Sequence, residues 1–102
     1  MASAAYMIIR EAVLKRLTIQ ARYAGYERVF CPHAIGMKRG EEHVLGYQYA
    51  GSSSSGLPTD GEWRCFVVRR LQGVTIITGP WRTGHTRTRT STCIDRIDVE
   101  VL

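Results

Sequence analysis

From Thr18 onward the apolar residues of this chain recur every second position, and turn signals interrupt them every few residues. A period of two is the signature of strands with one buried face, so most of the chain can fold only as a sheet of short strands. Thr18 to Tyr23 alternates and ends at Ala24-Gly25, and Glu27 to Cys31 forms a second strand that Pro32 is expected to halt. Gly36 to Gly40, with Lys38 and Arg39, reads as a basic turn, and His43 to Tyr49 as the third strand. Ala50 to Gly61 has the Gly/Ser composition of a flexible loop inserted between strands. Trp63 to Val68 and Val74 to Thr78 supply two more strands, divided by Gly73, and Gly79-Pro80 ends the second of them. At the C-terminus Ile97, Val99 and Val101 alternate with Asp98 and Glu100.

Only the start of the chain has a helical period. Tyr6, Ile9, Val13 and Leu17 fall on one face of residues 4–17, Arg10, Glu11, Lys15 and Arg16 are available for the other, and Ser3 is placed to cap. So short a helix is marginal alone and must lay its apolar stripe on the sheet. The expected fold is therefore mainly β: one domain of 102 residues, a small SH3/Sm-like barrel with an N-terminal α-helix across an open end.

The residues are 44% hydrophobic and 23% charged, a globular balance rather than a disordered one. No apolar run reaches the roughly 20 residues of a membrane helix, and the first ten residues lack a basic signal-like start. A soluble, cytoplasmic protein is the expectation. Cys31, Cys65 and Cys93 are odd in number and widely spaced, with no Cys-x-x-Cys pair, so reduced thiols are expected rather than a disulfide framework.

Lys and Arg total 14 against 9 Asp and Glu, a net charge of +5, and only Lys15 and Lys38 are lysines. Arginine offers a planar fork of donors suited to phosphate, carboxylate or base edges. The stretch Arg64-Cys-Phe66-Val-Val68-Arg-Arg70-Leu71 carries the densest cations around an apolar seam of Phe66, Val68 and Leu71. Arg28, Arg64 and Arg70 lie on strands expected to be neighbours and could converge on one anionic ligand, with Tyr47, Tyr49 or Trp63 supplying a ring for a base. The alternative for Arg64 and Arg70 is an ion pair with Glu27, Glu62, Asp95 or Asp98. Arg82, Arg87, Arg89 and Arg96 form a second basic series. Its Thr-Arg-Thr-Arg-Thr core would put Arg87 and Arg89 on one face if extended, able to follow a nucleic-acid backbone. A solvated loop face reads equally well there.

Together these segments resemble the WYL domain. That family shows an Arg-x-x-x-Pro segment, a Trp-Tyr-Leu strand and an Arg-x-Phe-x-Leu-Asp-Arg-Ile block. Here they correspond to Arg28-Val-Phe-Cys-Pro32, His43-Val-Leu45 leading to Tyr47, and Arg64 to Leu71, within about residues 18–78. Only Leu45 survives of the namesake tripeptide, and Arg69 stands where the family has an acidic residue. The resemblance implies a barrel that binds nucleic acid or a nucleotide and regulates attached domains. This chain has no room for a helix-turn-helix or enzyme domain and would act in trans.

The expected function is a non-enzymatic module that binds single-stranded nucleic acid or a nucleotide-like anion through Arg28, Tyr47, Arg64, Arg70, Arg87 and Arg89. A protein-interaction or self-association module, using the helix or a barrel edge, is the alternative. His33, His43 and His85 invite a nuclease reading, but nothing in their spacing brings them together. Cys31-x-His33 is too little for a metal, and no phosphate loop or Ser-His-Asp pattern is present, so no cofactor and no metal are expected.

Overall fold

The computed structural model describes residues 2–51, 61–83 and 93–101. Helix α1 (Ala4–Lys15) is followed by β1 (Thr18–Tyr23), β2 (Tyr26–Lys38), β3 (Glu41–Gly51) and β4 (Glu62–Val67). A 3-10 turn (Val68–Arg70) leads to β5 (Gln72–Ile77), and β6 (Arg96–Glu100) closes the described chain. Among the described residues the strands form one antiparallel sheet in the order β4-β3-β2-β1-β5, with β6 paired to β2. The architecture is mainly β with an N-terminal helix, a small barrel-like fold compatible with the SH3/Sm-like expectation.

The sheet has to curl. In a flat sheet β4 and β5 would stand about 19 Å apart, four strand spacings. Only Val68 to Leu71 connect them, and three of those residues are coiled in a 3-10 turn. Even fully extended, such a link crosses at most about 17 Å. The two edges are therefore drawn toward each other, and the concave side becomes the core.

Two hairpins set the register. Ala24 (φ 54°) with Gly25 (φ 81°), and Arg39 (φ 50°) with Gly40 (φ 80°), put two successive residues in the left-handed region. This is the two-residue turn whose twist matches the strands it joins. Pro32 does not halt β2, which continues to Lys38. On the side away from β3, β2 pairs with β1 through Phe30 and with β6 from Ala34 onward. Pro32 falls in the gap between them, opposite Gly46 of β3 and beside a register shift at Pro32–Ala34, the kind of irregular position where strands tolerate proline.

The concave face gathers Ile19, Ala21, Phe30, Ile35, Val44, Phe66 and Val68 beneath Tyr6, Ile9, Ala12 and Val13 of the helix. Gly46 is needed here, because a Cβ would run into the Phe30 ring. Helix α1 stops two residues short of the expected Leu17, at a left-handed Arg16 (φ 55°). Ser3 caps its start by accepting from the Tyr6 N–H at 3.2 Å. Val99 of β6 and Val101 just beyond it pack on the core, while Ile97 stays exposed at the strand's start.

The convex face holds a second cluster of Ala34, Leu45, Cys93 and Ile94 with Trp63 against it. Here the cysteine expectation is overturned. Cys65 and Cys93 form a disulfide, with their Cα atoms 5.7 Å apart, and only Cys31 is a free thiol. The pair is 28 residues apart, and no local spacing joins it: the residues just before β6 lie on the convex face, with Ile94 packed on Ala34 and Leu45, and there Cys93 meets Cys65 of β4. No helix among the described residues is long and apolar enough to cross a membrane.

The helix is latched to β6 by Asp98, which accepts from the Tyr6 hydroxyl at 2.8 Å and from Arg10 Nε at 3.0 Å. The Tyr6 bond, more than the Arg10 charge, holds the Asp98 carboxyl below the usual carboxylate range, while burial and then Asp98 push the Tyr6 phenol up. A depressed carboxyl adds stability above its unfolded pKa and loses it as pH falls through the folded value. A raised phenol adds stability below its unfolded pKa and loses it at higher pH. Urea midpoints followed from neutral pH to about pH 2 are expected to fall less in Asp98→Asn than in the parent protein. Separately, Cys93→Ser is expected to lower unfolding free energy by about 3–4 kcal/mol, the loop-closure entropy of a 28-residue separation. A reducing agent should lower the parent's midpoint and leave that variant's unchanged.

Candidate functional site

Alternation along β2, β3 and β4 sends Arg28, Gln48 and Arg64 to the concave face, at the end of the barrel that the helix does not cover. Arg28 is only 5% exposed. Its guanidinium donates to Gln48 Oε1 and to the Tyr23 carbonyl, both at 3.2 Å. Its carbon lies 5.6 Å from the Tyr23 ring centre and 5.7 Å from those of Tyr26 and Phe66. Gln48 is fully buried and donates to the Ala50 carbonyl at 3.0 Å, which turns its oxygen toward Arg28.

Among the described residues Arg28 has no carboxylate partner, and its Nε has no hydrogen-bond acceptor. Burial, and then the nearby charge of Arg64, pull its pKa down. Arginine nonetheless keeps its proton under ordinary conditions. Among the described residues the cation at this end of the barrel is thus balanced by neutral dipoles and ring faces alone.

Arg70 approaches from the 3-10 turn. It is exposed, and its guanidinium carbon lies 5.3 Å from the Tyr23 ring centre. Tyr23 therefore carries a cation against its ring from Arg28 and another from Arg70. Its hydroxyl accepts the Val67 N–H at 3.2 Å, and its ring meets Phe66 edge-on at 4.9 Å. Tyr26, 37% exposed above Arg28, is the accessible ring of the group. Arg64 pairs with Glu62 at 2.6 Å, one of the ion pairs weighed from the sequence.

The structure thus brings Arg28, Arg64 and Arg70 to one mouth, but not Tyr47. That ring is buried on the convex face, 5.2 Å from Trp63. Its position one residue before Gln48 sends it to the opposite side. Tyr26 and Gln48 were not singled out from the sequence. The turn at Ala24-Gly25, which folds Tyr26 back opposite Tyr23, was the available signal for the first. A buried glutamine inside a strand pattern was the signal for the second.

Arg87, Arg89 and His85 lie outside the described residues. Arg82 lies over Tyr49 at 4.7 Å, and its N–H donates to Cys31 Sγ at 3.2 Å, on the convex side. His33 sits between Trp63 and Trp81, each ring centre 4.7 Å away, and its Nδ1 donates to the Cys31 carbonyl at 2.8 Å. His43 pairs with Gly36, three residues further along β2, so the two histidines stand about 10 Å apart along the ladder. No group of three His, Cys, Asp or Glu among the described residues could hold a metal.

Comparison with protein-family models, with curated proteins and with solved structures finds no match.

The Arg28–Gln48 contact predicts an asymmetry. Gln48→Leu alone strands a buried charged donor and should cost about 1–3 kcal/mol in urea unfolding. The double variant Arg28→Met with Gln48→Leu should recover much of that loss, because it removes the charge along with its acceptor.

Proposed function

We propose that this chain is a non-enzymatic binding module for a nucleotide unit, free or within single-stranded nucleic acid, held at the Arg28–Tyr26–Arg70 mouth. The observation that carries the reading is the buried Arg28 guanidinium, which is balanced by neutral groups alone among the described residues. A buried cation without a counter-charge is costly, and an incoming anion lowers that cost. Arg70 is exposed and would meet the phosphate directly, while Arg28 acts from beneath by its field. The Tyr26 ring would take the base, a contact worth about 1–3 kcal/mol and tolerant of sequence.

The WYL resemblance points the same way, since Arg28, Arg64 and Arg70 are the arginines of its matched segments. On this reading the protein is a WYL-like ligand-binding module with a regulatory role.

Fluorescence anisotropy with labelled single-stranded oligonucleotides, competed with mononucleotides, tests the proposal. With Arg70 and Arg28 as the two cationic contributions, affinity for a single strand should fall on the order of sevenfold between 50 and 200 mM salt. Arg70→Ala should weaken binding at least about fivefold and flatten the salt dependence by about one contact. Equal binding by Arg70→Ala, or no binding of either ligand at low salt, would sink it.

A further inference from the structure

The two sulfurs of the disulfide differ in their access to solvent. Cys93 is 3% exposed, inside the convex cluster with Ala34, Leu45 and Ile94. Cys65 is exposed on β4. A thiolate from solvent can therefore reach one end of the bond and not the other. Exposed disulfides are the labile ones, and exchange depends on which sulfur can be attacked. Opening the bond strands no polar group in the interior either. The Val44 carbonyl stands 3.7 Å from Cys93 Sγ, placed to accept from the thiol that forms there. Cys31 is buried and closed to the same attack.

Cys65 also bears on the mouth. Strand alternation sets it on the convex face between Arg64 and Phe66, whose side chains face the concave end. Among the described residues β4 is laddered to β3 alone, and its other side is held at Val67 by the Tyr23 hydroxyl. The disulfide pins this edge strand from outside, and Arg70 lies within the chain segment that the bond closes. Phe66 and Arg70 both rest against the Tyr23 ring.

We infer that the Cys65–Cys93 bond is a redox control on the mouth: taking the mouth as the nucleotide site proposed above, a dithiol opens the bond at Cys65 in the folded protein, and the reduced form binds more weakly. A thiolate of the dithiol attacks Cys65 Sγ, and Cys93 leaves as a thiolate that takes a proton. The second thiol then displaces Cys65, which also ends as a thiol. The protein gains two protons and two electrons, and the dithiol becomes its own disulfide. Once untied, β4 keeps its ladder to β3 but loses its outer support, so Phe66 and Arg70 are held less firmly on Tyr23.

A monothiol added to the native protein, 2-mercaptoethanol, followed by acid quenching and peptide mass mapping, tests the chemistry. The mixed disulfide should sit on Cys65, with Cys93 a free thiol. Full reduction by dithiothreitol should leave the circular dichroism spectrum unchanged and weaken binding of a labelled single strand at least about threefold. Reoxidation should restore the affinity. Cys93→Ser should bind as the reduced parent does and ignore the reductant. An adduct on Cys93, a bond that opens only as fast as the protein unfolds, loss of the spectrum on reduction, or equal affinity in both redox states would overturn the inference. If Cys93→Ser does not fold, the two redox states of the parent decide alone. An oxidised parent that binds neither strand nor mononucleotide marks instead the failure of the anion-binding reading, which takes this control with it.

Discussion

Tyr23 is the side chain on which the barrel's closure depends. It ends β1, and its hydroxyl accepts a backbone donor from the far edge of the sheet at Val67. Among the described residues no strand pair joins β4 to β5, so this hydrogen bond and the ring contact with Phe66 do part of the work that a ladder does in a closed barrel. The same ring places Arg28 and Arg70, because its faces are where two guanidinium groups come to rest. Closure of the fold and assembly of the cationic mouth are thus one event, and losing Tyr23 would disturb both.

The curl divides the chemistry between two faces. The concave side holds the aliphatic core and, at its open end, the arginines. The convex side holds His33 between two tryptophans, Arg82 on Tyr49, and the disulfide. A strand alternates its side chains, so neighbours in sequence such as Tyr47 and Gln48 serve opposite faces. The two basic series of the sequence diverge for the same reason: Arg28, Arg64 and Arg70 share the concave mouth, while Arg82 belongs to the other side.

Much of the fold was legible because its cues are local. The change of period at Thr18, the Ala24-Gly25 turn and the Ser3 cap each act within a few residues, and the strands and helix appeared nearly where those cues put them. Pro32 misled, because whether a strand tolerates proline depends on what lies beside it, and the gap between β1 and β6 is a property of the whole sheet. The Cys65–Cys93 pair was invisible for a similar reason, joining segments 28 residues apart that meet only in the folded sheet. At the mouth, the arginines were found by their charge. Tyr26 and Gln48 were not, because a turn and a buried amide gain their meaning only once Arg28 is placed between them.

The length of β2 has a consequence for how the chain folds. Its two hairpin partners, β1 and β3, are joined to it by two-residue turns, so those pairings form between near neighbours at little entropic cost. The same strand must also accept β6, which arrives from the far end of the sequence to pair Ala34 with Glu100. Contacts of such separation form late and slowly. The three-strand meander is therefore the early structure, and it waits with half of one β2 edge open. A Cys65–Cys93 bond formed before that step would shorten the search that fills it, since it closes the chain between β4 and the residues just before β6.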